Sequence, residues 1–221
     1  GLGGHLKAFL GFWPHMVLQA DKGSGKSVLI KRLERSIGFT MFSGQSLTTE
    51  FRLLTSVSHT SHPVGWEEIS ARRQDIIDKA VALLQENYQH TLTRRGSDMT
   101  EYLVSAPVLL AGEDVPVDSL LGKVVRTQLS LEKQGPLIPA NLPRFPVREW
   151  CQWLAALDAD RVQELFQNAC GKLFQRTAAS ANDAGAARMI NNYAALATAW
   201  RLQCEFANIP VEQGGFPEDL L

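Results

Sequence analysis

The chain has 221 residues, 45% of them hydrophobic, with 22 Lys and Arg against 23 Asp and Glu and a formal net charge of −1. That composition excludes disorder as the dominant state and describes a globular chain with one sizeable core and a small appended subdomain. Its 17 Gly and 10 Pro exclude collagen-like and low-complexity readings, no apolar run approaches the roughly 20 residues of a membrane span, and the charge balance gives no bulk attraction to nucleic acid.

The chain starts at Gly1 with no basic-then-apolar leader, which is expected of a module cut from a longer cytoplasmic protein rather than of a secreted one. The first strong pattern is the short apolar run Met16-Val17-Leu18, followed by Ala20-Asp21-Lys22-Gly23-Ser24-Gly25-Lys26-Ser27 and then Val28-Leu29-Ile30-Lys31-Arg32-Leu33. This reads as strand, loop and amphipathic helix. The loop fits the phosphate-binding pattern GxxxxGK[ST], with Ala20 in place of the first glycine. Gly23 and Gly25 allow the backbone N–H groups, including that of Ser24, to curl around a phosphate, and the helix N-terminus adds partial positive charge. Lys26 suits the β- and γ-phosphates of a nucleotide, and Ser27 suits a magnesium ion. ATP and Mg2+ are therefore the expected ligands.

A second strand is expected near Gly38 to Phe42 and a helix across Leu47 to Val57. A third strand runs through Val64-Gly65-Trp66 and ends at Glu67 and Glu68, a spacing that suits a sheet with this third strand beside the loop strand. Two acids there can serve a metal and a water molecule, or simply open the next helix at its positive end. That helix carries Ile76, Ile77, Ala80, Val81 and Leu84. Residues His90 to Leu103 have Thr-rich arms around Arg94-Arg95-Gly96-Ser97 and read as a hairpin with a basic tip, although the arginines also suit an ordinary solvated turn. The apolar run from Ala106 to Gly112 is another strand, ending at Glu113 and Asp114.

Residues 1 to 135 thus read as an α/β unit with a mostly parallel sheet flanked by helices. Pro136, Pro139, Pro143 and Pro146 punctuate a linker over 136–146. Residues 147–221 read as a helical subdomain, with stripes at Val147, Trp150, Leu154 and Leu157, at Val162, Leu165, Phe166, Ala169 and Leu173, and at Ile190, Tyr193, Ala194, Ala197 and Trp200. Asp160 and Asp183 are the expected N-caps, and Pro210 the stop of the last helix. Cys151, Cys170 and Cys204 are too widely spaced for a zinc site or a disulfide framework and read as small core residues. Trp150, Trp153 and Trp200 read as core ahead of base-stacking platforms.

The segment Val64-Gly65-Trp66-Glu67-Glu68 resembles the Walker B strand of superfamily-three helicases, the viral, phage and plasmid replication branch of the AAA+ P-loop ATPases. The resemblance covers about residues 14 to 130 through four ordered elements. It implies that Glu67 sits on the magnesium side and that Glu68 polarises the attacking water. It implies that a hairpin carries Arg94 and Arg95 into the pore of a homo-oligomeric ring, a hexamer, to grip single-stranded DNA. It places Ala106 to Glu113 at the sensor-one strand, where the family has an Asn contacting the γ-phosphate and this chain has Glu113 followed by Asp114, so that either the contact is made differently, with Glu113 at the nucleotide, or the alignment slips by a residue. It also implies an arginine finger within Leu120 to Leu129, with Arg126 the first choice and Lys123 the other. The function implied is an ATP-hydrolysing helicase or translocase. An AAA+ nucleotide switch that remodels a protein partner without unwinding is the alternative. A small-molecule P-loop kinase leaves the acidic pair and the hairpin without a shared purpose.

Overall fold

The computed structural model describes residues 2–69, 73–95, 98–112, 120–133, 135–136, 138–177 and 183–211. In chain order they form a 3-10 turn (Leu2–Leu6) that runs into α1 (Lys7–Leu10), then β1 (His15–Ala20), α2 (Lys26–Ile37), β2 (Thr40–Ser43), α3 (Glu50–Ser58) and β3 (Val64–Glu67). After these come α4 (Gln74–Asn87), β4 (Thr91–Arg95), β5 (Thr100–Val104), β6 (Val108–Gly112) and β7 (Val124–Leu129), and finally α5 (Val147–Ala155), α6 (Ala159–Arg176) and α7 (Ala184–Phe206).

Short β-rich runs separated by helices need crossover connections, and that is how the sheet is built. Five strands form one sheet in the order β2-β3-β6-β1-β7, and every neighbouring pair is parallel. The expectation that the third strand lies beside the loop strand is overturned: β6 separates β3 from β1, pairing Leu109 with Met16 on one side and Gly65 on the other. The apolar run Val108–Gly112 is buried at all five positions, as a central strand covered on both faces must be. β4 and β5 form a separate antiparallel hairpin.

Side-chain alternation divides the core. Val17, Val64, Trp66, Val108 and Leu110 point to the side covered by α3 and α4, where they meet Leu54, Val57, Ile76, Ala80 and Leu84. Leu18, Leu109 and Ala111 point to the other side and meet Ile30 of α2 and Phe39. Trp66 is fully buried, and its indole N–H donates to the Ser56 hydroxyl at 2.9 Å, so the apolar ring is accommodated without an orphaned donor.

A third cluster joins α5, α6 and α7 through Trp150, Leu154, Val162, Phe166, Ala194 and Leu202, and it takes in Leu2, Leu6 and Trp13 from the start of the chain. The Pro-containing stretch before α5 docks on the end of α2, where Phe145 N–H donates to Ser36 O and Arg35 donates to Ala140 O at 3.0 Å. Asp183 caps α7 as expected, accepting from the N–H groups of Gly185 and Ala186. The cap of α6 is Asp158 and not Asp160; Asp160 lies inside the helix and its N–H donates to Asp158. Cys204 is buried, whereas Cys151 and Cys170 are only half-buried, and all three are free thiols. Among the described residues no helix is long and apolar enough to cross a membrane.

Candidate functional site

The site is assembled at the carboxyl ends of β1 and β3. β1 ends at Ala20, which is 3% exposed, and the chain then turns through Asp21 to Gly25 into α2. The loop's first residue is pinned to the sheet edge, since Asp21 N–H donates to Leu129 O of β7 at 3.2 Å. Gly23 and Gly25 have φ of +84° and +96°, a region closed to most side chains, and a Cβ on Gly25 would meet nothing within 4 Å. The loop is therefore open at Gly25 and not a packed turn.

Gly25 is also the N-cap of α2; no side chain caps that helix and no acid stands in its first turn. Its first-turn N–H groups, unsatisfied within any helix, thus form a positive pole facing the loop. The Ser24 hydroxyl oxygen is buried with no hydrogen-bond partner among the described residues. A buried orphaned hydroxyl costs about 1–3 kcal/mol. Its position beside the uncapped end of α2 fits an anion, but the Ser24 N–H expected at the phosphate donates instead to Asp21 O at 3.1 Å.

Lys26 opens α2 and its Nζ lies 3.4 Å from Oε1 of Glu67 at the end of β3, with the two side chains 15% and 33% exposed. The parallel sheet brings this pair together across β6. Glu68 follows with φ of +55°, unusual for a residue with a Cβ, while its N–H donates to Ala111 O of β6 at 2.9 Å. That bond extends the sheet by one residue and turns the chain sharply, which leaves the Glu68 side chain exposed beside the loop strand's neighbour. Ser27 is exposed on the first turn of α2.

These residues fit a nucleotide with its magnesium ion. The open loop backbone, the orphaned Ser24 hydroxyl and the uncapped helix end are donors of the kind that phosphate oxygens accept from. Among the described residues no three His, Cys, Asp or Glu side chains group to hold a metal. Magnesium asks for no such cage, because it is commonly held by one or two protein oxygens with phosphate and water completing the shell; Ser27 and Glu67 are of that kind.

Other expected site residues lie elsewhere. Glu113 and Asp114 fall outside the described residues, as do Gly96 and Ser97. Arg94 and Arg95 belong to β4 and do not form the tip; Arg94 stands opposite Glu101 of β5, and its guanidinium donates to that carboxylate from both Nε and Nη2. Arg126 is exposed in the middle of the edge strand β7, level with Val17, three residues before the start of the loop. Lys123 instead donates to Gln85 O at 3.0 Å and sits over the Tyr88 ring. The edge strand β7 carries a short sequence signal of its own, Arg126 and Gln128 alternating with Val125, Thr127 and Leu129.

Two buried polar groups were not anticipated. Lys7 is 3% exposed and donates to the backbone O and side-chain Oδ1 of Asn87 and to Val104 O. Burial lowers its pKa to about 7. His15 is fully buried at the start of β1, with Nδ1 accepting from Val108 N–H and Nε2 donating to Leu84 O; burial and the nearby Lys7 charge lower its pKa to about 3.

Compared with models of known protein families and with curated proteins, the chain finds no match in either.

Proposed function

We propose that the chain is a magnesium-dependent P-loop ATPase of the AAA+ kind, acting in the cytoplasm as the helicase or translocase motor of a mobile-element replication protein. The observation that carries the ATPase reading is the Lys26–Glu67 pair at the mouth of an open, glycine-lined loop. Nothing local in the sequence joins these residues; the sheet order does. ATP would be held by the Ser24 hydroxyl and the backbone N–H groups from Gly25 to Ser27, with Lys26 exchanging its carboxylate partner for phosphate oxygen. Magnesium, held by Ser27 and Glu67, would supply charge neutralisation at the phosphates.

Glu68 is the general base of this reading: its exposed carboxylate accepts the proton of the attacking water. In a ring, an arginine finger on the edge strand β7, where Arg126 is exposed, would reach the nucleotide of a neighbouring subunit. Hairpin β4–β5 lies between α4 and β6 and is the element proposed to meet single-stranded DNA.

One observation favours the alternative, a nucleotide switch that remodels a protein. Arg94 is paired with Glu101, and the same hairpin face carries Leu92 and Leu103, opposite each other and 54% and 44% exposed. A face that is charge-neutral and apolar suits protein better than a phosphate backbone.

The test is phosphate release with and without oligo(dT). Lys26→Ala is expected to lose nucleotide binding, and Glu68→Gln to keep binding while turnover drops by about a hundredfold or more. Turnover that rises with oligo(dT) supports the motor. Turnover indifferent to DNA, with Arg94→Ala/Arg95→Ala fully active, transfers the case to the switch. Unimpaired turnover in Glu68→Gln removes Glu68 from the chemistry.

A further inference from the structure

We propose that the groove between α6 and α7 is a second, independent binding site for single-stranded nucleic acid. The two helices leave a cavity of about 450 Å3 between them, within the range of ligand-binding clefts. Its floor is buried, with Leu173 at 5% and Thr198 at 2% exposure, the Thr198 hydroxyl donating within its own helix to Ala194 O. One wall is the half-buried indole of Trp200. The rim carries Lys172 and Arg176 from α6 and Arg201 from α7, all exposed.

The spacing explains the convergence. Lys172 and Arg176 lie one turn apart on α6, and Arg201 projects from the facing stripe of α7. Among the described residues the lining contains no acid. Glu205, one turn beyond Arg201, is taken by Arg161 through a hydrogen-bonded ion pair. Among the described residues none of the three rim cations pairs with a carboxylate. In a chain of net charge −1, such a local excess is an electrostatic feature and not a bulk property.

A cationic rim with an indole in the wall has the two parts that single-stranded nucleic acid needs: cations that track the phosphates and an aromatic surface for a base. An acidic peptide would use the cations and leave the indole idle. A purely apolar segment would strand three charges around it. Charge and ring together select the polynucleotide.

The test uses the whole protein without nucleotide, so it stands or falls apart from the ATPase. Fluorescein-labelled oligo(dT) is titrated at several salt concentrations, with poly-glutamate as competitor, and intrinsic Trp emission is followed. Binding is expected with a negative salt slope. Replacing Lys172, Arg176 and Arg201 by Ala should reduce the magnitude of that slope by about two, at about 0.7 per phosphate contact. Trp200→Ala should weaken binding about tenfold or more, with Trp200→Phe retaining most of it and abolishing the quenching signal. A control with Lys31, Lys79 and Arg148 replaced removes the same charge elsewhere on the surface. The proposal is overturned if oligo(dT) does not bind, if the control loses as much affinity as the groove variant, or if poly-glutamate competes fully while Trp emission stays unchanged. The rim variants change exposed side chains only, so a folding defect in Trp200→Ala leaves them as the deciding measurement.

Discussion

Glu68 is the residue at which structure and chemistry conflict most visibly. A side chain at φ of +55° costs about 1 kcal/mol in backbone strain, and the N–H bond to Ala111 O holds it there. A residue kept in an unfavourable conformation at the end of a central strand is a sign of use, because glycine would serve the turn better. Glu68→Gly is therefore expected to raise stability by up to about 1 kcal/mol in urea unfolding while abolishing turnover. Glu68→Gln should leave the unfolding midpoint where it is. If Glu68→Gly destabilised the chain, the strain argument would fail. Ser24 makes the complementary point in the loop after β1: its hydroxyl is buried and has no partner among the described residues, so bound phosphate should raise the thermal midpoint by giving that hydroxyl an acceptor.

At the level of elements, the strand-loop-helix from Met16 to Leu33 was legible because its information is local: an apolar run, two glycines, and an amphipathic stripe. The hairpin was legible for the same reason, through its Thr-rich arms. What the arginines do within it was not. Register decides that, and the register sets Arg94 opposite Glu101 instead of at the tip. Strand order was equally hidden, since the insertion of β6 between β1 and β3 is a choice among long crossovers that no short window encodes. The groove between α6 and α7 escaped because Leu173 and Trp200 at helical spacing look like core whether or not cations ring them.

The hairpin pairing carries its own prediction. Both side chains are about half exposed, at 58% and 48%, so the bond adds little stability. Glu101→Gln should thus shift unfolding by less than about 0.5 kcal/mol. If the hairpin grips a phosphate backbone, removing the Glu101 charge from its face should also tighten oligo(dT) binding. Unchanged binding in Glu101→Gln would remove the hairpin from the nucleic-acid path and favour the apolar Leu92–Leu103 face as a protein contact.

Across the whole molecule, the sheet and the helical layer are joined by groups that must be uncharged or buried. Trp150 of α5 donates its indole N–H to His5 Nδ1 at 3.1 Å. That leaves His5 Nε2 protonated, and it donates to His62 Nδ1 at 3.2 Å; His62 Nε2 then donates to Ile37 O at 2.7 Å, at the end of α2. Each link requires the neutral tautomer, and the two rings stack with centroids 5.3 Å apart. Burial lowers the pKa of His5 to about 4, assisted by His62, and burial also lowers that of His62. His15 behaves alike, with a pKa of about 3.

For all three, the unfolded chain binds a proton near 6.5 and the folded chain does not until lower pH. Stability should therefore fall as pH drops from about 6.5 toward 4, and this acid slope should be shallower in His5→Phe. Lys7 acts in the opposite range. With a folded pKa of about 7 against 10.5 in the unfolded chain, the unfolded state again holds more protons, so stability should climb from pH 7 to 10. Lys7→Met should flatten that climb while costing about 1–3 kcal/mol at neutral pH, because Asn87 Oδ1 and Val104 O lose their donor. Urea midpoints for the three chains between pH 4 and pH 10 check both limbs, and a wild-type stability that is flat across pH 4 to 6.5 would rule out the histidine relay as the clasp between α2 and α5.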